Sequence, residues 1–330
     1  MPPTMAGLLP ELSMPFHSLD RSLVMDAVRV SEAAAIAAWA LVGRGDEQAA
    51  DQAAADAMRD ALNKLPIDGV IVIGEGEQDE TPTLYVGERV GRGGGPRIDI
   101  ALDPLEGASL TAKAMSNALA VMAWAPEGSL LNAPETYMDK IACGPGYPTG
   151  LLQLDRSPAD NALALAAAKG VEVADIAVCV LDRPRHAEII ASLREVGARV
   201  HLIADGDVAG VINTADPDTG IDMYLGQGGA PEGVLACAAL KCVGGQFQGR
   251  LVFRTADERT RARRHGIEDL DRVYDLHEMV RSDAIFVATG VTDGALLDGV
   301  RISRGFVHTH TLVMNSASGS VRQVRMKRRL

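Results

Sequence analysis

The sequence predicts an α/β protein of stacked sheets and helices, and three patterns carry the prediction. An Ala-rich helical hairpin comes first, short apolar strand-like runs follow it, and from about residue 150 helix and strand patterns alternate in the rhythm of parallel α/β packing.

In the hairpin, "SLVMDAVRVSEAAAIAAWALVG" (22–43) begins at a Ser cap and stops at Gly43, and "DEQAADQAAADAMRDALNKL" (46–65) follows a tight Gly turn. The runs "GVIVIG" (69–74), "RIDIALD" (97–103) and "NALAVMAWA" (117–125) each end at Gly, Asp or Pro, where strands stop. The later rhythm reads helix "PADNALALAAAKG", strand "DIAVCVLD", helix "PRHAEIIASLREVG", strand "RVHLIAD", helix "GDVAGVINTA", strand "IDMYLG" and helix "APEGVLACAALKCVG". "DAIFVATG" and "FVHTHTLVMNS" are strand-like again and could close either sheet. Residues 1–20 read as a loose N-terminal tail, "GRGGGP" (91–96) as a turn outside any dinucleotide-loop setting, and "MKRRL" as a solvated basic tail. His308 and His310 in "HTH" share a strand face; with no carboxylate nearby they read as part of a half-buried strand, while His186 beside Arg185 stays ambiguous.

Composition narrows the function. At 330 residues, 47% apolar and 23% charged, the chain can bury one large core or two moderate ones, as an ordinary soluble globular protein does. Its 32 basic and 44 acidic side chains give a net charge of −12, which repels polyphosphate backbones and anionic lipid, so neither nucleic acid nor membrane is expected as a partner. No apolar run is long enough to span a bilayer, and the N-terminus lacks a signal-peptide pattern. Cys143, Cys179, Cys237 and Cys242 form no CxxC pair, which points away from zinc sites and disulfide frameworks and toward a reducing cytoplasm.

Carboxylates gather where strands and helices end. "LDPLEGAS" sets Asp103 and Glu106 behind a strand-like run, with Pro104 fixing one φ and Gly107 permitting an unusual one. "IVIGEGEQDE" places Glu75 in a Gly-flanked turn with Glu77, Asp79 and Glu80 behind it; Asp51 lies on the polar side of a helix, and Glu232 opens another after a Gly-rich turn. Taken singly, each reads as a cap, a dipole partner or a solvated acid. Together they form an oxygen-only set of the kind that hard cations such as Mg2+ or Mn2+ require, often with substrate phosphate completing the shell.

The strings "GRGD", "IDGVIVIGEGEQDE", "LYVGERVG", "DIALDPLEG", "NAPETYMDKIACGPG", "LDRPRH", "IADGDVAG", "GGAPEGV" and "ATGVTDG" resemble, in order, class II fructose-1,6-bisphosphatase of the GlpX type, including its fructose-1,6/sedoheptulose-1,7-bisphosphatase members. The resemblance implies a layered α/β/α/β/α sandwich of the lithium-sensitive sugar phosphatase type, with a metal-binding part over 21–150 and a sugar-phosphate-binding part over 151–330 that includes the C-terminal strands. It implies removal of the 1-phosphate from fructose 1,6-bisphosphate, and from sedoheptulose 1,7-bisphosphate as a second substrate, in gluconeogenesis or the Calvin cycle. A homo-oligomer, dimer or tetramer, is expected with it. The family's metal ligands fall on Asp51, Glu75, Asp103, Glu106 and Glu232; its substrate contacts fall on Glu106, Gly107, Ala108, Tyr137, Arg183, Pro184, Arg185, Asp205, Gly206, Asp207 and Gly229. An Arg fork matches phosphate oxygens and Asp carboxylates accept from sugar hydroxyls, although Arg183 and Arg185 also read as a solvated pair at a helix start.

Two departures stand out. The family pattern has a Thr or Ser after the DPxEG turn, whose hydroxyl is oriented by an acid that falls on Asp79 and helps to align and deprotonate the attacking water. Here position 108 is Ala, and Ser109 is one residue out of place for the same task. Glu47 follows "GRGD" where many members carry Lys. The alternatives to a sugar-bisphosphate phosphatase are another lithium-sensitive phosphatase, acting on inositol or nucleotide phosphate, and a sugar-phosphate binder without catalysis.

Overall fold

Apolar runs without polar alternation, such as "LAVMAWA", suit strands covered on both faces. In the computed structural model, which describes residue 19, residues 22–77 and residues 81–330, such strands are covered by helices. The chain runs α1 (Ser22–Trp39), α2 (Glu47–Leu62), β1 (Asp68–Ile73), β2 (Arg89–Val90), β3 (Arg97–Glu106), α3 (Ala108–Ala112), β4 (Leu119–Pro126) and β5 (Tyr137–Cys143). It continues through α4 (Pro158–Lys169), β6 (Ala177–Leu181), α5 (Ala187–Glu195), β7 (Arg199–Ile203), α6 (Asp207–Ile212), β8 (Met223–Gly229), α7 (Ala230–Val243) and β9 (Gln246–Val252). Last come α8 (Ala256–Arg264), β10 (Val273–Asp275), α9 (Leu276–Met279), β11 (Ile285–Gly290), β12 (Arg301–Ser303), β13 (Phe306–Asn315) and β14 (Ser320–Arg329). Apart from Leu19, the expected tail over 1–20 lies outside the described residues.

Two mixed sheets result. The first is ordered β12-β13-β11-β4-β3-β1-β2, with β14 paired along β13, and the second β10-β9-β5-β8-β6-β7. The strands whose assignment had been open, β11 and β13, therefore belong to the first sheet.

Helices and sheets stack as α/β/α/β/α, and three cores fill the interfaces. Period-two alternation divides each strand between them: Ala120, Met122 and Trp124 of β4 face α1 and α2, while Leu119, Val121 and Ala123 face the middle layer around α7. In the second sheet Val178 and Val180 meet α4 and α5, whereas Ala177 and Cys179 turn inward. All four cysteines are free thiols buried in these layers.

Several expectations need correction. Parallel packing holds for β6 with β7 and β8, but β5 runs antiparallel to both β8 and β9. The connection β8–α7–β9 leaves a one-strand gap, and β5 enters it from outside the helix–strand rhythm. β3 does not stop at Asp103; it continues to Glu106 through a register shift, because Pro104 has no N–H for the ladder and a bulge takes its place. Residues 326–329 are no tail: they belong to β14, which pairs along the whole of β13 and turns Val324 and Met326 toward the core between its charges. His310 does have a carboxylate nearby, since the loop before β12 folds back and sets Asp298 3.5 Å from it. Its Nδ1 accepts from the Asp298 N–H at 3.1 Å and its Nε2 meets Gln323 Oε1 at 3.2 Å, the pattern of a satisfied buried histidine.

Candidate active site

The carboxylates converge where elements of both sheets end. β1 delivers Glu75, β3 delivers Asp103 and Glu106, α2 contributes Asp51, and Glu232 sits in the first turn of α7. The Leu105 N–H donates to Asp103 Oδ1 at 3.0 Å across Pro104, which fixes that carboxylate. Gly107 then reverses the chain at φ 89°, opening α3. Glu106 reaches across to the other sheet, where its Oε1 accepts from the Val208 N–H of α6 at 3.3 Å.

Burial and mutual repulsion act on the whole group. Burial first, then the charges of Asp51 and Asp103, push Glu75 up to about 10. Burial and the Glu232 and Asp51 charges push Asp103 up to about 8, and burial with Asp207 takes Glu232 to about 7. Glu106 is likewise raised, by burial and then by Asp103, and Asp51 by burial. Such a set cannot ionise fully without added positive charge. The Asp51 charge acts directly on Glu75, and the Asp103 charge on Glu106. Among the described residues no three His, Cys, Asp or Glu side chains stand in a finished metal-holding arrangement. What points to a cation is the donor chemistry: all oxygen, mutually repelling, and with Glu106 Oε2 and Glu232 Oε2 buried without any hydrogen-bond partner.

Beside the acids lies a cavity of about 230 Å3. Asp103, Glu106, Gly107, Tyr137, Arg183, Arg185, Asp205, Asp207, Gly229 and Glu232 all line it. Asp51 and Glu75 do not line it, but the Asp51 charge acts on Asp103, and the Asp103 charge on Glu75. Gly206 caps α6 and Pro184 opens a short turn before α5; neither lines the cavity. Ala108 and Ser109 start α3, and the Ser109 hydroxyl donates to Asp205 Oδ2 at 3.4 Å, so it faces the sugar-phosphate side. Asp79 lies outside the described residues. A larger cavity of about 680 Å3, between Trp39, Arg301, His308 and Arg325, gathers none of the candidate acids.

His186 proves to be a brace. Its Nδ1 donates to Leu181 O at 2.7 Å and its Nε2 accepts from the Gln227 N–H at 2.9 Å, joining the ends of β6 and β8 beneath Arg185. Three neighbours escape sequence reasoning. Lys140 is fully buried on β5 and donates to Asp207 Oδ2 at 2.6 Å. Gly228 is the penultimate residue of β8, where a Cβ would stand 1.8 Å from Asp207 Oδ2, just as one on Gly229 would stand 1.8 Å from Glu232 Oε2. Arg254 follows β9 and lies over the Tyr137 ring. The quoted "ETYMDK" contains Lys140, but only its complete burial marks it out.

Comparison with known proteins bears on this site. A family model described as bacterial fructose-1,6-bisphosphatase, glpX-encoded, matches residues 21–328. The chain is 42% identical over 331 residues to the D-fructose 1,6-bisphosphatase class 2/sedoheptulose 1,7-bisphosphatase of Synechococcus sp. (strain JA-3-3Ab), covering 93% of this chain and 95% of that one. It is 44% identical over 317 residues to fructose-1,6-bisphosphatase 1 class 2 of Escherichia coli (strain K12), covering 92% and 94%. With coverage almost end to end, the chain belongs to the bacterial, glpX-encoded fructose-1,6-bisphosphatase family.

Proposed function

We propose that the protein is a divalent-metal-dependent phosphoric monoester hydrolase that removes the 1-phosphate of fructose 1,6-bisphosphate, and of sedoheptulose 1,7-bisphosphate as a second substrate. The observation that carries this reading is the single cavity in which buried, unpartnered carboxylate oxygens face two arginines. Asp51, Glu75, Asp103, Glu106 and Glu232 would hold Mg2+ or Mn2+. When bound, such ions neutralise phosphoryl charge and lower the pKa of water.

The chain's own groups do the rest. Arg183 and Arg185 orient the phosphate that stays on the sugar, with Arg183 steered by Asp205 at 3.7 Å. Asp207 keeps one oxygen on Lys140 and leaves the other for a sugar hydroxyl. Gly107 and Gly229 leave room for the reacting phosphate. The water oxygen bonds to phosphorus as the bond from phosphorus to the C1 oxygen breaks; that oxygen takes a proton, releasing fructose 6-phosphate and inorganic phosphate. Ala108 offers no hydroxyl to align the water, so this step is the slow one.

A phosphate-release assay with Mg2+ or Mn2+ on fructose 1,6-bisphosphate, sedoheptulose 1,7-bisphosphate, inositol 1-phosphate and 3'-phosphoadenosine 5'-phosphate tests the reading. Turnover confined to the last two would overturn it. Ala108 favours one alternative, a sugar-phosphate binder without catalysis, which would show calorimetric binding of the sugar bisphosphate and no release. The reading carries with it a homo-oligomer, dimer or tetramer, checked by light scattering. It also carries a reducing cytoplasm, which four free buried thiols fit; no helix among the described residues is long and apolar enough to cross a membrane.

A further inference from the structure

The Tyr137 ring carries two guanidinium groups, with the Arg254 carbon 3.6 Å and the Arg185 carbon 5.2 Å from its centroid. Register explains the meeting: on β5, Tyr137 lies opposite Gly229 of β8 and Val252 of β9, and Arg254 follows β9 by two residues. Gln227 ties the pair together. Its main-chain oxygen accepts from Arg185 Nε at 3.2 Å and Nη2 at 2.7 Å, while its side-chain oxygen accepts from Arg254 Nη2 at 3.2 Å. The Arg254 backbone is fixed as well, since its N–H donates to Glu258 Oε2 at 2.6 Å, and the same oxygen takes the Thr136 hydroxyl at 3.4 Å.

Charge is what the arrangement leaves open. Arg183 has Asp205 at 3.7 Å, but among the described residues neither Arg185 nor Arg254 has a carboxylate within ion-pair distance of its guanidinium. Arg254 uses one of its five N–H donors and Arg185 two. In a chain of net charge −12, two uncompensated guanidiniums on one aromatic ring form a local positive pole at the rim of an acidic cavity. Planar forks with free donors, held to one ring and one glutamine, suit a phosphate dianion.

We propose that Arg254 is a specificity-determining residue: with Arg185 it clamps the phosphate retained on the sugar, and so makes the site prefer bisphosphates to monophosphates. This rests on reading the cavity as a sugar-phosphate site. The test compares wild type, Arg254→Gln and Arg254→Lys with Mn2+, measuring kcat/KM for fructose 1,6-bisphosphate and for fructose 1-phosphate, and calorimetric affinity for fructose 6-phosphate. In Arg254→Gln the ratio of the two kcat/KM values falls about ten- to a hundredfold, carried by the KM of the bisphosphate. Fructose 6-phosphate affinity falls in parallel, and Arg254→Lys lies between. An unchanged ratio and affinity, or an equal loss on both substrates, overturns the clamp. If the wild type hydrolyses neither substrate, the phosphatase reading fails, while Arg254-dependent binding of fructose 6-phosphate still supports the clamp; no wild-type binding of fructose 6-phosphate overturns it.

Discussion

The Nζ of Lys140 and Oδ2 of Asp207 lie 2.6 Å apart, with the Lys140 side chain fully buried and Asp207 at the wall of the cavity. The pair joins β5 to α6 directly behind the cavity and supplies a positive charge among the acids. Breaking a buried ion pair leaves the remaining charge without compensation. Lys140→Met should therefore lower unfolding free energy in urea by about 3–5 kcal/mol. Adding Asp207→Leu should recover part of that loss; a purely additive double mutant would refute the coupling.

Without divalent metal, stability should fall as pH rises. Asp103 and Glu232 move from 3.8 and 4.5 to about 8 and about 7, and Glu75 from 4.5 to about 10. Raised folded values mean that the folded state holds more protons, so the stabilisation is complete below the unfolded values and is lost as pH climbs through the folded ones. In EDTA the melting temperature should drop between about pH 5 and pH 9. Mn2+ binds the ionised set, so it should raise the melting temperature, and more strongly at the higher pH. A melting temperature that rises with pH in EDTA would contradict the acid cluster.

Gly229→Ala should strike at the metal. The new Cβ would sit 1.8 Å from Glu232 Oε2, so that carboxylate must swing away. The half-saturating Mn2+ concentration for activity should increase about 10- to 100-fold. An unaltered metal titration would take Glu232 out of the ligand set.

Ala108→Thr restores the hydroxyl that the family pattern carries. Because such a group acts mainly in the transition state, kcat should rise at least about tenfold with little change in KM. Ser109→Ala should do the reverse, weakening substrate affinity through Asp205 with little effect on kcat, since its hydroxyl points to the sugar-phosphate side. If Ser109→Ala abolishes turnover instead, Ser109 is the water-orienting group.

Much of the architecture is legible in local patterns, since helix caps, Gly stops and apolar runs act over a few residues. The acids were readable too, because Asp103, Glu106 and Glu75 sit at strand ends where burial of charge demands a reason. β5 was hidden because its Asp139 and Lys140 break any apolar alternation, and only Asp207, distant in sequence, makes a buried Lys tolerable. Arg254 was hidden for a related reason: its meaning depends on β9 lying beside β5, a pairing that no spacing along the chain encodes. The basic run in β14 reads as a tail because charge masks the alternation of Val324 and Met326.

The place of β11 in the first sheet has a consequence for biosynthesis. β4 ends at Pro126 and lies between β3 and β11, yet β11 starts only at Ile285. At about 5–20 residues per second, the ribosome leaves the β4 edge bare for on the order of ten seconds. That edge belongs to "LAVMAWA", an uncharged run of the type that recruits foreign strands. Until β11 is made, the first sheet is incomplete, and the β4 edge presents unpaired N–H and C=O groups.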